Sequence, residues 1–145
     1  MADLETYPED FFRGITSKDF VKDGVVSPEA FLFDNNESRK DGYSEASINW
    51  NDDSEALTLL LNQKKKDGSF QFKGGAVKIS VPNMKMYLDD YLQNGYFKYE
   101  RRRIEGNIYH GNLLTKSDIT KPYRSAISAA LSLLANKNLI PREDF

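Results

Sequence analysis

Six apolar residues, Tyr123, Ala126, Ile127, Ala130, Leu131 and Leu134, recur at intervals of three and four. That spacing places them on one face of an α-helix over 122–135, and Pro122 suits its first turn, where a missing N–H costs nothing. An apolar stripe of that width has to be buried, so the rest of the chain must present a matching surface. Upstream, short alternating runs are separated by Gly, Asn and Asp. They predict helices interspersed among mainly antiparallel strands, a single α+β domain over 1–145 closed by a core helix.

The other elements follow from the same logic. Phe11-Phe12-Arg13-Gly14-Ile15 reads as a strand, and 17–22 as one helical turn closed at Asp23-Gly24. Ser27-Pro28-Glu29 opens a brief helix that would turn Phe31 and Leu32 inward. The Asn-, Ser- and charge-rich stretch 34–44 is expected to be an exposed loop. Residues 46–50 alternate so that Ile48 and Trp50 share a face. Asn51-Asp52-Asp53-Ser54 caps a helix over 55–63 with Leu57, Leu59, Leu60 and Leu61 inward, and Trp50 is expected beside them. Lys64-Lys65-Lys66 suit the negative end of that helix, and Gly68 terminates it. Strands at 69–72 and 76–81 would form a hairpin through Lys73-Gly74-Gly75. A helix over 84–92 comes next, then strands at 96–104 and 108–114 paired through Glu105-Gly106-Asn107.

Composition excludes several chemistries. There is no cysteine, hence no disulfide, cysteine-bound zinc or thiol nucleophile, and a lone histidine argues against a His-based metal site. No metal and no cofactor is expected. The formal net charge of −2 argues against general nucleic-acid coating, although the basic runs at 64–66 and 101–103 allow a local basic face. The opening Met-Ala-Asp-Leu-Glu-Thr lacks a basic segment followed by an apolar run, which predicts no secretion signal. The apolar stretch 126–135 is broken by Ser128 and Ser132 and is too short to span a bilayer. A soluble cytoplasmic protein with no membrane partner is expected, plain enough to suit a bacterial or phage source.

Usable chemistry concentrates around His110. Within a strand over 108–114, His110 and Asn112 share a face, and the preceding strand carries Arg101, Arg102 and Arg103. A group that titrates near neutrality beside fixed cations suits a general acid or base, or a contact to an anion. The candidate ligand-binding residues are Arg101, Arg103, Tyr109, His110 and Asn112. For catalysis the candidates are His110, Glu100 and Glu105.

Phe12-Arg13-Gly14-Ile15 resembles the aromatic-Arg-Gly opening of ADP-ribosyltransferases, with Ser47 in Ala46-Ser47-Ile48 standing in their central strand. The resemblance implies that Arg13 would hold NAD phosphates and that Glu100 or Glu105 would be the catalytic acid. The family's Ser-Thr-Ser run and Glu-x-Glu pair are absent.

The leading expectation is a small non-catalytic binding protein whose partner is another protein or an anionic small ligand. One alternative is a metal-independent phosphodiesterase or ribonuclease, or an ADP-ribosyl-transferring toxin-like enzyme. The other is nucleic-acid binding, resting on the basic–aromatic run Tyr96-Phe97-Lys98-Tyr99 and the arginines after it.

Overall fold

The computed structural model describes residues 7–136 and 138–140. Its strands are β1 (Asp10–Gly14), β2 (Val21–Lys22), β3 (Val25–Val26), β4 (Tyr43–Trp50), β5 (Ala76–Ser80), β6 (Phe97–Arg101), β7 (His110–Lys116) and β8 (Leu139–Ile140). Its α-helices are α1 (Glu55–Leu61), α2 (Val81–Tyr87), α3 (Asp89–Gln93) and α4 (Lys121–Ala135). Six strands form one antiparallel sheet in the order β6-β7-β4-β1-β5-β8, while β2 and β3 make a separate ribbon. This is the α+β architecture that the alternating runs and the C-terminal stripe demand.

The register determines what α4 meets. Cross-strand partners share a face, so Phe11, Ala46, Ile48, Trp50, Ile79 and Leu113 all point to one side. Ile127, Leu131 and Ala135 of α4 are buried against that side, together with Met84 of α2. Each fully buried large apolar side chain contributes about 1.5–3 kcal/mol before the cost of ordering the chain. On the other side, Ala56 and Leu60 of α1 pack with Phe12, Ala76 and Tyr109. With only seven residues, α1 covers part of that face. Glu45, Ser47, Glu100 and Asn112 share the rest of it, where Asn112 is buried, Glu45 and Glu100 are half-buried and Ser47 is exposed.

Several local expectations are corrected. The helical turn expected over 17–22 is a 3₁₀ turn confined to Lys18–Phe20, and it runs into the β2–β3 ribbon, which Asp23 and Gly24 close in left-handed conformations. The second 3₁₀ turn, Pro28–Phe31, has the expected Ser27 cap, but it buries Ala30 and Phe31 and leaves Leu32 exposed. The 55–63 helix stops at Leu61 and buries Ala56 and Leu60, with Leu57, Leu59 and Leu61 only partly covered. Trp50 is fully buried, but on the α4 side of the sheet, away from those leucines. The 84–92 helix is two short helices that meet at buried Leu88.

The expected hairpin between 69–72 and 76–81 does not form. Strand β5 pairs along its length with β1, and Lys64 and Phe70 meet only in an isolated bridge. The ring of Phe72 instead seats directly on Gly14, where any Cβ would overlap it. Residues 69–72 therefore cross the α1 side of the sheet rather than extending it. Strand β6 ends at Arg101, so Arg103 does not share a strand face with Arg101, and β7 starts at His110 and runs on to Lys116.

Candidate functional site

His110 opens β7, opposite Asn49 of β4. Its position depends on two buried amides. Asn49 donates through Nδ2 to the Ala56 carbonyl (3.1 Å), and Asn107 Nδ2 donates to Asn49 Oδ1 (2.8 Å). The Tyr109 N–H then donates to Asn107 Oδ1 (3.1 Å). This relay ties the connection between β6 and β7 to the start of α1, with every member satisfied, as burial of amides requires.

The imidazole is oriented by the main chain. His110 Nδ1 lies 2.8 Å from the Arg102 carbonyl oxygen. A carbonyl can only accept, so Nδ1 carries the proton, and in the neutral ring Nε2 presents a lone pair. No carboxylate or guanidinium bonds His110 among the described residues.

Next to it on the same face, Asn112 is fully buried between two carboxylates. Its Nδ2 donates to Glu100 Oε2 (2.8 Å) and, at longer range, to Glu45 Oε2 (3.4 Å). Both carboxylates also hold Arg39, which reaches back from the 34–44 loop to bond Glu45 (3.0 Å), Asp41 (2.7 Å) and Glu100. The Arg39 side chain is only 4% exposed. Burial works against its charge, but the bonds to Glu100, Glu45 and Asp41 outweigh that and hold its pKa above the ordinary guanidinium value. The loop is polar in sequence yet pinned through its one arginine.

The remaining candidates are dispersed. Arg101 pairs with Gly111, so its side chain lies on the face opposite His110. There it makes a bidentate pair with Asp52 (2.6 and 2.8 Å) and stacks 5.6 Å from the Tyr7 ring centroid and 5.9 Å from that of Trp50. Arg103 and Glu105 are exposed in the connection after β6. Tyr109 donates its hydroxyl to Asp53 Oδ1 (2.8 Å), and that bond, aided by desolvation, raises its pKa. Arg13 is spent on two main-chain carbonyls, Ala30 (Nε, 2.7 Å) and Ser47 (Nη1, 2.7 Å), and stacks on Phe31. It stitches β1 to β4 where those strands stop pairing after Phe12. Burial lowers its pKa to about 10, with Asp34 opposing, so it stays charged at neutral pH.

Beside His110 lies a cleft of about 190 Å³ between α1, residues 71–72 and the connection before β7. Leu60, Phe72 and Ile104 give it apolar walls, and Ser47, Gln63, Gln71 and His110 line it with polar groups. Among the described residues, no carboxylate, lysine or arginine side chain lines it. Among the described residues, neither the Ser47 hydroxyl, the two glutamine amides nor His110 Nε2 has a hydrogen-bond partner. A second hollow shares Ser47, Gln71 and Phe72 and continues toward Arg13 and Glu45. The sequence singles out His110, but Gln63 and Gln71 carry no local signature, since only the fold brings them there. Among the described residues, no group of three His, Asp or Glu is placed to hold a metal ion, and no helix is long and apolar enough to cross a membrane.

Comparison with protein-family models, with curated proteins and with solved structures finds no match to this chain.

Proposed function

We propose that this protein works by binding, and that the His110 cleft takes a small uncharged molecule carrying at least one O–H or N–H donor. The observation that carries the reading is the convergence of unpaired polar groups, Ser47, Gln63, Gln71 and His110 Nε2, on one cleft with apolar walls. Beside the cleft, Asn49 and Asn107 are bonded to one another and Asn112 Nδ2 is bonded to Glu100, while the buried Asn112 Oδ1 has no partner among the described residues. A few unpaired polar groups set in an apolar-walled hollow are the usual makings of a small-molecule site. The lone pair on Nε2 would accept from the ligand, and the glutamine amides can both donate and accept.

An anionic ligand fits this cleft less well than the arginine run suggests. Arg101 is neutralised by Asp52 on the far side of the sheet, and the described residues that line the cleft carry no fixed cation. Of the two carboxylates offered as the complement of His110 in a ribonuclease, Glu100 is held by Arg39 and Asn112, and Glu105 is exposed in the connection after β6. Both facts favour binding of a neutral species over phosphoryl chemistry.

The test is a titration with nucleosides and neutral sugars, followed by NMR on uniformly labelled protein. Expected are shifts confined to His110, Ser47 and the side-chain amides of Gln63 and Gln71, lost in both His110→Ala and Gln71→Ala. If those variants bind the same compound as tightly as the parent, the site lies elsewhere.

A further inference from the structure

Three tyrosines from separate elements meet at the start of the edge strand, away from the His110 cleft. Tyr91 comes from α3, Tyr96 from the residue before β6, and Tyr123 from the first turn of α4. The Tyr123 ring centroid lies 5.9 Å from that of Tyr91 at 74°, and 5.7 Å from that of Tyr96 at 44°. These rings stand as angled walls around a pocket of about 220 Å³ that Asp90 and Asn94 complete. Asn94 Nδ2 is spent on the Asp90 main-chain carbonyl (2.8 Å), and Asp90 is the one charged residue in the described lining. Tyr123 keeps 46% of its surface exposed, so one wall is open to a ligand.

We propose that this pocket binds a methylated ammonium cation. The face of an aromatic ring carries negative potential, and several rings at angles present that potential from more than one side. An anion is repelled by the rings and by Asp90. A bare metal ion or unmodified ammonium holds its water more strongly than tyrosine faces can replace, whereas methyl groups spread the charge and add apolar contact. Asp90 contributes Coulomb attraction that a neutral ligand cannot use. The cations among the described residues do not fill the place. Lys98 stacks on Tyr43 (4.6 Å), and Arg124 bonds the main-chain carbonyls of Lys116 and Ser117 (3.2 and 3.1 Å). Among the described residues, no lysine or arginine lies over Tyr91, Tyr96 or Tyr123.

The same chemistry occurs in a free quaternary ammonium compound and in a trimethylated lysine side chain. The experiment therefore has two arms, choline and a short trimethyllysine peptide, each set against its uncharged tert-butyl isostere. Binding is read by NMR on the intact chain with labelled tyrosines. Expected are shifts of Tyr91, Tyr96 and Tyr123 with the cations and none with the isosteres, and the tighter arm identifies the source. Tyr123→Phe should bind as the parent does, while Tyr123→Ala should weaken binding about tenfold and Asp90→Asn about threefold. The fold of each variant is checked by its amide spectrum. Asp90→Asn, a surface change, keeps the test decisive if Tyr123→Ala does not fold. Equal binding of cation and isostere overturns the proposal, as does the absence of tyrosine shifts with either cation.

Discussion

The Trp50 indole donates from Nε1 to the main-chain carbonyl of Glu100 at 3.0 Å, and it reaches that carbonyl by crossing Gly111. A Cβ at position 111 would overlap both the indole and the Glu100 carbonyl. Neither neighbour can yield, because one is a fully buried ring and the other is backbone in a paired strand. Gly111→Ala should therefore cost about 1–3 kcal/mol or more in urea unfolding. Trp50 emission should be blue-shifted and poorly quenched by iodide in the parent, and shifted toward the free-tryptophan value in the variant. A parent-like stability for Gly111→Ala would mean the indole does not lie across β7.

Leu131 is fully buried where α4 meets the sheet. Leu131→Ala should cost about 2–5 kcal/mol, the range for a large-to-small change in a packed core. A loss under about 0.5 kcal/mol, typical of surface sites, would remove α4 from the core.

Arg39 and Glu100 are separated by 61 positions in sequence and joined in space. Removing Arg39 leaves Glu45 and Glu100 facing each other around Asn112 without a cation, although both keep some contact with solvent. Arg39→Met is expected to cost about 1–3 kcal/mol, and to free the amides of 34–42 to faster hydrogen exchange. In a double-mutant cycle with Glu100→Gln the two losses should be far from additive. Additive losses would show that the contact carries no coupling.

The pH dependence expected of Tyr109 follows from its bond to Asp53. The phenol donates a proton to a carboxylate, so its folded pKa lies above the unfolded value near 10. This stabilisation is complete below the unfolded pKa and is lost as pH rises through the folded one. Stability should fall across the alkaline range above about pH 10, and Tyr109→Phe should flatten that part of the profile. An unchanged alkaline slope in Tyr109→Phe would show that Asp53 does not hold the phenol.

Much of the fold is legible in the sequence because its signals are local. The C-terminal helix, the Ser27 cap, the alternation that faces Ile48 and Trp50 to the same side, and the β6–β7 pairing all arise from spacing within a few residues. The expected helix stripe is corrected in detail: Tyr123 and Ala126 are exposed, and the buried face runs through Ile127, Ser128, Leu131, Ser132 and Ala135. What stays hidden depends on partners far along the chain. Arg39 sits in a stretch as polar as any loop, and only the sheet supplies Glu45 and Glu100 to bury it. Residues 69–72 have strand-like composition, but Gly14 gives Phe72 a seat across the sheet face and β1 takes β5 as its partner. The arginine run separates because β6 ends at Arg101 and registers it opposite Gly111, which places Arg101 with Asp52 and leaves His110, on the other face, among amides. His110 stands out by being the only histidine, while Gln63 and Gln71 have nothing comparable to mark them.

The cleft reading depends most directly on the state of one ring. As the chain has a single histidine, a long-range proton–nitrogen NMR spectrum contains one imidazole and needs no assignment by mutation. At about pH 8, where an ordinary imidazole is neutral, the spectrum should show Nδ1 protonated and Nε2 bare. Adding the nucleoside or sugar that perturbs Gln71 should then move the Nε2 resonance and leave Nδ1 in place. The opposite tautomer, or an Nε2 resonance that no member of that panel moves, would contradict the account.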